Sequence, residues 1–234
     1  MRICLSLKFE GDSDSLRLIK QKMRWERCDV HMFTIKIKNW LLALAGLLLL
    51  SACGGGEKDL TKEGAYVGNE DWMIEDFAYT NESNESIGLA DLKDEIWIAD
   101  FIFTNCTSVC PPMSANMSKI QQHFEDEGME VPLVSFTVDP ERDTPEVLRE
   151  YAEQYGANLD TWHFLTGYTF EEIKKLSEET FKSPLAAPVE GDDQFTHGVN
   201  FYLIEGDKII KTYNGVSNVP FEAIVEDVKT LKGS

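Results

Sequence analysis

With 234 residues, 43% of them hydrophobic and 11% aromatic, the chain can bury one sizeable core but not two large ones. Its 41 acidic against 22 basic residues give a net charge of −19, the wrong sign for attraction to nucleic-acid phosphates, so a nucleic-acid partner is set aside.

In chain order, Met1 to His31 is mixed in charge and aperiodic, and fits neither a signal peptide nor a domain. Met32-Phe33-Thr34-Ile35-Lys36-Ile37-Lys38 makes a basic lead-in, Trp40 to Leu50 is an almost unbroken Leu/Ala run, and Ser51-Ala52-Cys53 follow, which is a signal-peptide layout. Translation from Met32 fits that layout and would leave Cys4 and Cys28 outside the product. The apolar stretch from Trp40 to Ala52 is 13 residues, short of the roughly 20 that a spanning helix needs, so a transmembrane anchor is the weaker reading. Leu50-Ser51-Ala52-Cys53 resembles the lipobox of bacterial lipoproteins, in which the Cys is acylated and becomes the mature N-terminus. An ordinary secretory signal with a coincidental Cys is the alternative. Both put the domain outside the cytoplasm. The expected division is a leader and lipoprotein signal over 1–52, a lipid-anchor tether over 53–68 opening on Gly54-Gly55-Gly56, and a folded domain over 69–234.

Removing 1–52 takes nine basic and five acidic residues, leaving 13 and 36, a net charge of −23. That suits solubility near an anionic membrane, and no site is read from it. Of the five cysteines, Cys53, Cys106 and Cys110 remain. A disulfide between Cys106 and Cys110 would close so short a loop that it adds little to a domain of ~180 residues, so the pair is assigned to chemistry.

The folded part opens with short strands around Trp72 to Tyr79. Ile96 to Phe103 is a continuous apolar run, as in a central strand buried on both faces. The Cys pair follows at once. Met113, Met117, Ile120 and Phe124 recur at helical spacing up to Gly128, and Val131 to Val138 is a second strand. Thr144 caps a helix with Pro145 first and Val147, Leu148, Tyr151, Ala152 and Tyr155 on its apolar face. Trp162 to Leu165 is a short strand, and Thr169 with Glu172 forms a capping box for a helix through Ile173 and Leu176. Val199 to Ile204 and Lys208 to Tyr213 flank a Gly206 turn, and a last helix carries Phe221, Ile224, Val225, Val228 and Leu231. This order resembles the thioredoxin-like α/β fold, a central mixed sheet flanked by helices, with an insertion and extra N-terminal strands.

A Cys near a helix N-terminus meets free N–H groups and the positive end of the helix dipole, which favour thiolate; Cys106 is best placed to benefit. Thiolate attacks disulfides and also binds soft metals. The spacing Cys106-Thr107-Ser108-Val109-Cys110 lets both sulfurs reach one ion or each other. Pro111 and Pro112 are expected to place the pair on a turn, with the helix starting after them. Two thiolates suit Cu(I), and an added imidazole suits Cu(II) as well, whereas zinc would prefer a fourth ligand. Among the four His, His31 lies in the leader, His123 in the first helix and His163 at a strand start. His197 follows the polar loop Glu190 to Gln194 and precedes a strand, the position that faces the cysteines in a thioredoxin fold. Asp139, at the end of the second strand, either approaches the site from the side or caps the turn before Pro140. Asp100 is a carboxylate inside an apolar strand, where it needs a partner or a proton; it either handles protons beneath the thiols or hydrogen-bonds a neighbour on a partly open face. Met113 and Met117 are read as core.

Phe103 to Met113, with its Cys-x-x-x-Cys-Pro pattern, Val138-Asp139-Pro140-Glu141-Arg142-Asp143-Thr144-Pro145, and the distant His197 together resemble the Sco/SenC family of cytochrome oxidase assembly, over roughly Asp71 to Lys232. The resemblance implies one copper per domain held by Cys106, Cys110 and His197. It also implies a client in the dinuclear copper site of a cytochrome c oxidase subunit outside the membrane, and a membrane-facing location through lipidated Cys53. Another copper chaperone or a thiol-disulfide reductase would be a further partner. A competing role, reduction of the client's cysteines by the Cys106/Cys110 pair, stays open beside it, as does a peroxiredoxin-like peroxidase; a solute-binding lipoprotein with an incidental disulfide ranks last.

Overall fold

The computed structural model describes residues 59–66 and 72–233; the leader, Cys53 and half of the tether lie outside the described residues. Eight strands among them form one sheet: β1 (Ala65–Tyr66), β2 (Ala78–Asn81), β3 (Ser86–Gly88), β4 (Ile96–Ile102), β5 (Leu133–Thr137), β6 (Trp162–Thr166), β7 (Asn200–Glu205) and β8 (Lys208–Asn214). Their spatial order is β1-β8-β7-β4-β5-β6-β2-β3. The helices are α1 (Leu89–Leu92), α2 (Cys110–Asp126), α3 (Pro145–Gln154), α4 (Phe170–Lys175), which widens into a π turn over Leu176–Thr180, and α5 (Phe221–Lys232).

β4, β5 and β6 run parallel, joined through α2 and α3, and β7 lies antiparallel on the other side of β4. All seven residues of β4 are buried, as a strand covered on both faces requires. The quartet β5-β4-β7-β8 with α2 and α5 follows the thioredoxin-like arrangement, and the connection from β5 to β7 carries β6 as an addition to it. The β7–β8 hairpin turns at Gly206, whose φ of 61° and close approach to the Lys93 carbonyl, 2.6 Å from where a Cβ would stand, both call for glycine.

Three details differ from expectation. Helix α2 starts at Cys110 itself and not after the prolines: Pro111 and Pro112 sit in its first turn, where an N–H would have no intrahelical acceptor, and the ladder opens with Met113 N–H donating to Val109 O at 3.1 Å. The strands expected around Trp72 to Tyr79 reduce to one bridge, Met73 to Lys208, and to β2, which pairs with the unforeseen β3. Residues 59–66, assigned to the tether on sequence grounds, pack on the domain: β1 extends the sheet beside β8, and Thr61 bonds to buried Asp227.

Candidate metal centre

The centre is assembled where three segments meet at the C-terminal end of β4. The turn after β4 is fixed by Asp143, a fully buried carboxylate that accepts from Thr104 N–H at 3.1 Å and Thr104 Oγ1 at 2.5 Å, and also from Thr137 Oγ1. Cys106 follows on that turn, and its sulfur accepts the N–H of Cys110 at 3.3 Å, one of the free donors at the start of α2. The expectation that helix-end donors would favour a thiolate at Cys106 thus has a specific partner.

His197 arrives on the strand-leading loop before β7. Its Nε2 lies 3.3 Å from Cys110 Sγ, while its Nδ1 lies 2.8 Å from the carbonyl of Gly198. In the tautomer with the proton on Nδ1, donated to that carbonyl, the Nε2 lone pair faces the sulfurs, which is the form a metal ligand takes. A Cβ at residue 198 would stand 2.1 Å from Ser183 Oγ, so a larger residue there would require that hydroxyl to turn away. The two sulfurs and an imidazole nitrogen lie within 4.8 Å of one another, and all three residues are buried. Among the described residues this is the only cluster of its kind.

The two thiols are unequal. Cys106 is pulled down to about 3, chiefly by the hydrogen bond from the Cys110 thiol, with burial opposing and His197 and backbone N–H groups assisting. Cys110 is pushed far up by the same shared hydrogen bond and then by burial. Both effects favour the thiolate at Cys106, nearer the surface, and the proton on the deeper Cys110 sulfur.

Asp100 sits in β4 at 0% exposure. Its Oδ1 accepts from Ser135 Oγ at 2.6 Å, and Ser135 Oγ in turn accepts from Trp162 Nε1 at 2.9 Å. Its Oδ2 is buried without a hydrogen-bond partner. Burial raises its acid group to about 7, against the lowering effects of Ser135 and of His197. Asp139 stands at the end of β5 with its carbonyl accepting from Arg142 and Asp143 N–H groups and its carboxylate 3.6 Å from Arg142 Nε. Burial, then the charge of Asp143, raises its acid group. Neither carboxylate is hydrogen-bonded to Cys106, Cys110 or His197. Met113 and Met117 are fully buried in the core, His123 stacks on Phe221, and His163 pairs with Val134 in the sheet. Cys53 lies outside the described residues.

Reading the sequence missed Asp143, Asp193 and Gln194. Asp143 lay in plain view in the Val138 to Pro145 block, but its partner Thr104 is 39 residues away. Asp193 and Gln194 looked like generic polar loop.

The sequence matches the SCO1/SenC family over residues 68–233. A SCO1 protein homolog of Bacillus subtilis (strain 168) is 40% identical over 198 residues, 84% of this chain and 97% of the relative. The crystal structure of a SCO1/SenC family lipoprotein from Bacillus anthracis str. Ames superposes with a TM-score of 0.68 at 43% identity, covering 72% of this chain and 99% of that one. BsSco, a member of the Sco family of cytochrome c oxidase assembly proteins in which a disulfide switch is identified, gives 0.65 at 40% identity over 74% and 98%. The copper-bound ScoI of Bradyrhizobium japonicum shares the fold, with a TM-score of 0.56 at 22% identity over 69% and 98%. With the thioredoxin-like core, the Cys-x-x-x-Cys turn and the facing histidine in one place, the chain belongs to the SCO1/SenC family.

Proposed function

We propose that this protein binds one copper ion through Cys106, Cys110 and His197 and delivers it to the dinuclear copper site of cytochrome c oxidase. The observation that carries the reading is the buried two-sulfur, one-nitrogen cluster within 4.8 Å. Two thiolates suit Cu(I), and the imidazole extends the set to Cu(II). With no fourth protein donor beside them among the described residues, the site is poor for structural zinc, which takes four. Asp100 and Asp139 would act around the ligands rather than on the ion. The lipobox-like Cys53, together with the lipoprotein status of the Bacillus anthracis relative, supports a lipid-anchored protein on the extracytoplasmic face of the membrane, with 53–68 serving partly as tether. No helix of the described residues is long and apolar enough to cross a membrane.

A second reading is supported by the inequality of the thiols. The Cys106 thiolate would attack a client disulfide and form a mixed disulfide; the Cys110 thiol, giving up its proton, would then displace the client sulfur. The products are a Cys106–Cys110 disulfide and two client thiols. One experiment separates the two. Oxidase copper-site assembly is followed in a deletion strain complemented with the parent gene, Cys106→Ser, Cys110→Ser or His197→Ala, alongside anaerobic copper titration of each purified protein. Copper delivery requires all three side chains and one bound copper per chain. Full assembly with His197→Ala and none with Cys106→Ser would select thiol exchange, and parent-like Cu(II) affinity in His197→Ala would remove that residue from the site.

A further inference from the structure

His197 and Cys110 are 87 residues apart in sequence, so the spacing between imidazole and thiolates has to be set by contacts between their loops. The loop that leads into His197, residues 187–195, is closed at its neck by paired bonds between Ala186 and Thr196, at 2.9 and 3.0 Å, and His197 follows the neck directly. Beyond the neck the loop reaches across to the cysteine turn at two consecutive residues. The Gln194 side-chain amide reads the backbone on either side of Cys106: Oε1 accepts from Thr107 N–H at 3.2 Å, and Nε2 donates to the Asn105 carbonyl at 3.0 Å. Asp193 accepts from Asn105 Nδ2 at 2.7 Å and lies 3.6 Å from Arg142, on the loop between β5 and α3. Phe195 then wedges its ring against Phe103 and Phe170, with centroids 5.4 and 5.6 Å away, and Phe103 in turn meets the His197 ring edge-on.

From this we propose that Gln194, assisted by Asp193, is a positioning residue for the third metal ligand. It latches the His197 loop to the turn bearing Cys106, so that the imidazole is already over the sulfurs when an ion arrives. The inference rests on the copper reading above and deepens it. A ligand held in place binds better than one that must be ordered on binding, because the ordering cost is met beforehand. The latch bonds are at the surface, where water competes for them, so they can open without disturbing the core. Opening them lifts the imidazole and leaves both sulfurs in place. The latch therefore governs Cu(II), which uses the nitrogen, far more than Cu(I), which two thiolates satisfy.

The test uses the full protein and copper salts of each oxidation state, with the parent, Gln194→Ala, His197→Ala and the double variant compared. Gln194→Ala should weaken Cu(II) binding by about 10- to 100-fold, the range for groups that orient a ligand from behind, while changing Cu(I) binding little and shifting the Cu(II)-thiolate absorption. In the His197→Ala background the same change should add nothing, since its route runs through the imidazole. Unchanged Cu(II) affinity in Gln194→Ala, or an equal loss with His197 already removed, overturns the inference. A metal-free measurement keeps the latch separate from the copper reading. Amide hydrogen exchange over 187–196 and at Thr107 should quicken in Gln194→Ala, and unchanged exchange there overturns the latch whatever metal the protein carries. Failure of the parent itself to bind copper would instead bring down the metal reading.

Discussion

Asp100 has only half of what a buried carboxylate needs. Ser135 serves one oxygen at 2.6 Å and the other has no partner, so the neutral acid is favoured up to about pH 7. In the unfolded chain the same group ionises near 3.9. The native state thus holds a proton that the unfolded state has lost across roughly pH 4 to 7, and the stability tied to it is present in full below that window and lost as pH rises through it. At about 1.4 kcal/mol per pH unit the loss reaches at most about 4 kcal/mol. Asp100→Asn keeps an acceptor for Ser135 and cannot ionise. Urea unfolding of the metal-free protein between pH 5 and 8 should show the parent losing stability relative to this variant as pH rises, and parallel curves would refute the assignment. The sequence made the misfit of Asp100 legible, since it interrupts an apolar run. Its partner was not legible, because Ser135 comes from the neighbouring strand and only sheet order makes them neighbours.

At the scale of elements, β8 and α5 are joined by an ion pair inside the molecule. Lys211 Nζ lies 2.6 Å from Asp227, and the two side chains are 1% and 0% exposed. Lys211 also donates to Thr61 O and Thr61 Oγ1, which uses all three of its protons, while Tyr213 and Thr61 complete the carboxylate. Burial pushes Asp227 up, but these donors, Lys211 foremost, outweigh it and hold the acid below its usual range. Lys211→Met would strand that carboxylate and is expected to cost about 3–5 kcal/mol, whereas Lys211→Met with Asp227→Leu should recover much of the loss. Denaturant unfolding of both variants decides it, and a single variant as stable as the parent would show the pair to be idle. Elements with long periodic patterns, β4, α2, α5 and the β7–β8 hairpin, could be read from the chain because burial alone dictates their spacing. β3, α1 and the π turn could not. They are three to five residues long, and the π turn depends on a wide bond from Phe181 N–H to Leu176 O together with Ser177 reaching the Ser183 carbonyl.

For the molecule as a whole, the place where the fold begins matters more than its composition suggests. The family match starts at residue 68, yet Thr61 caps the Lys211–Asp227 pair and β1 covers the outer edge of β8. An uncovered sheet edge offers unpaired backbone groups to other chains, and a buried pair opened to solvent loses the directed bonds that offset its desolvation. A protein beginning at Asp59 should therefore be more stable than one beginning at Trp72, by about 2 kcal/mol for the Thr61 bonds to charged partners. In a domain of this size that corresponds to a melting temperature lower by roughly 4–8 °C in the shorter protein. The donors of the metal centre touch none of residues 59–66, so copper affinity should be the same in both. Equal melting temperatures would mean that the segment merely rests on the sheet. A fall in copper affinity alongside melting would mean that β8, the hairpin partner of the strand that His197 leads into, transmits its loosening to the ligands.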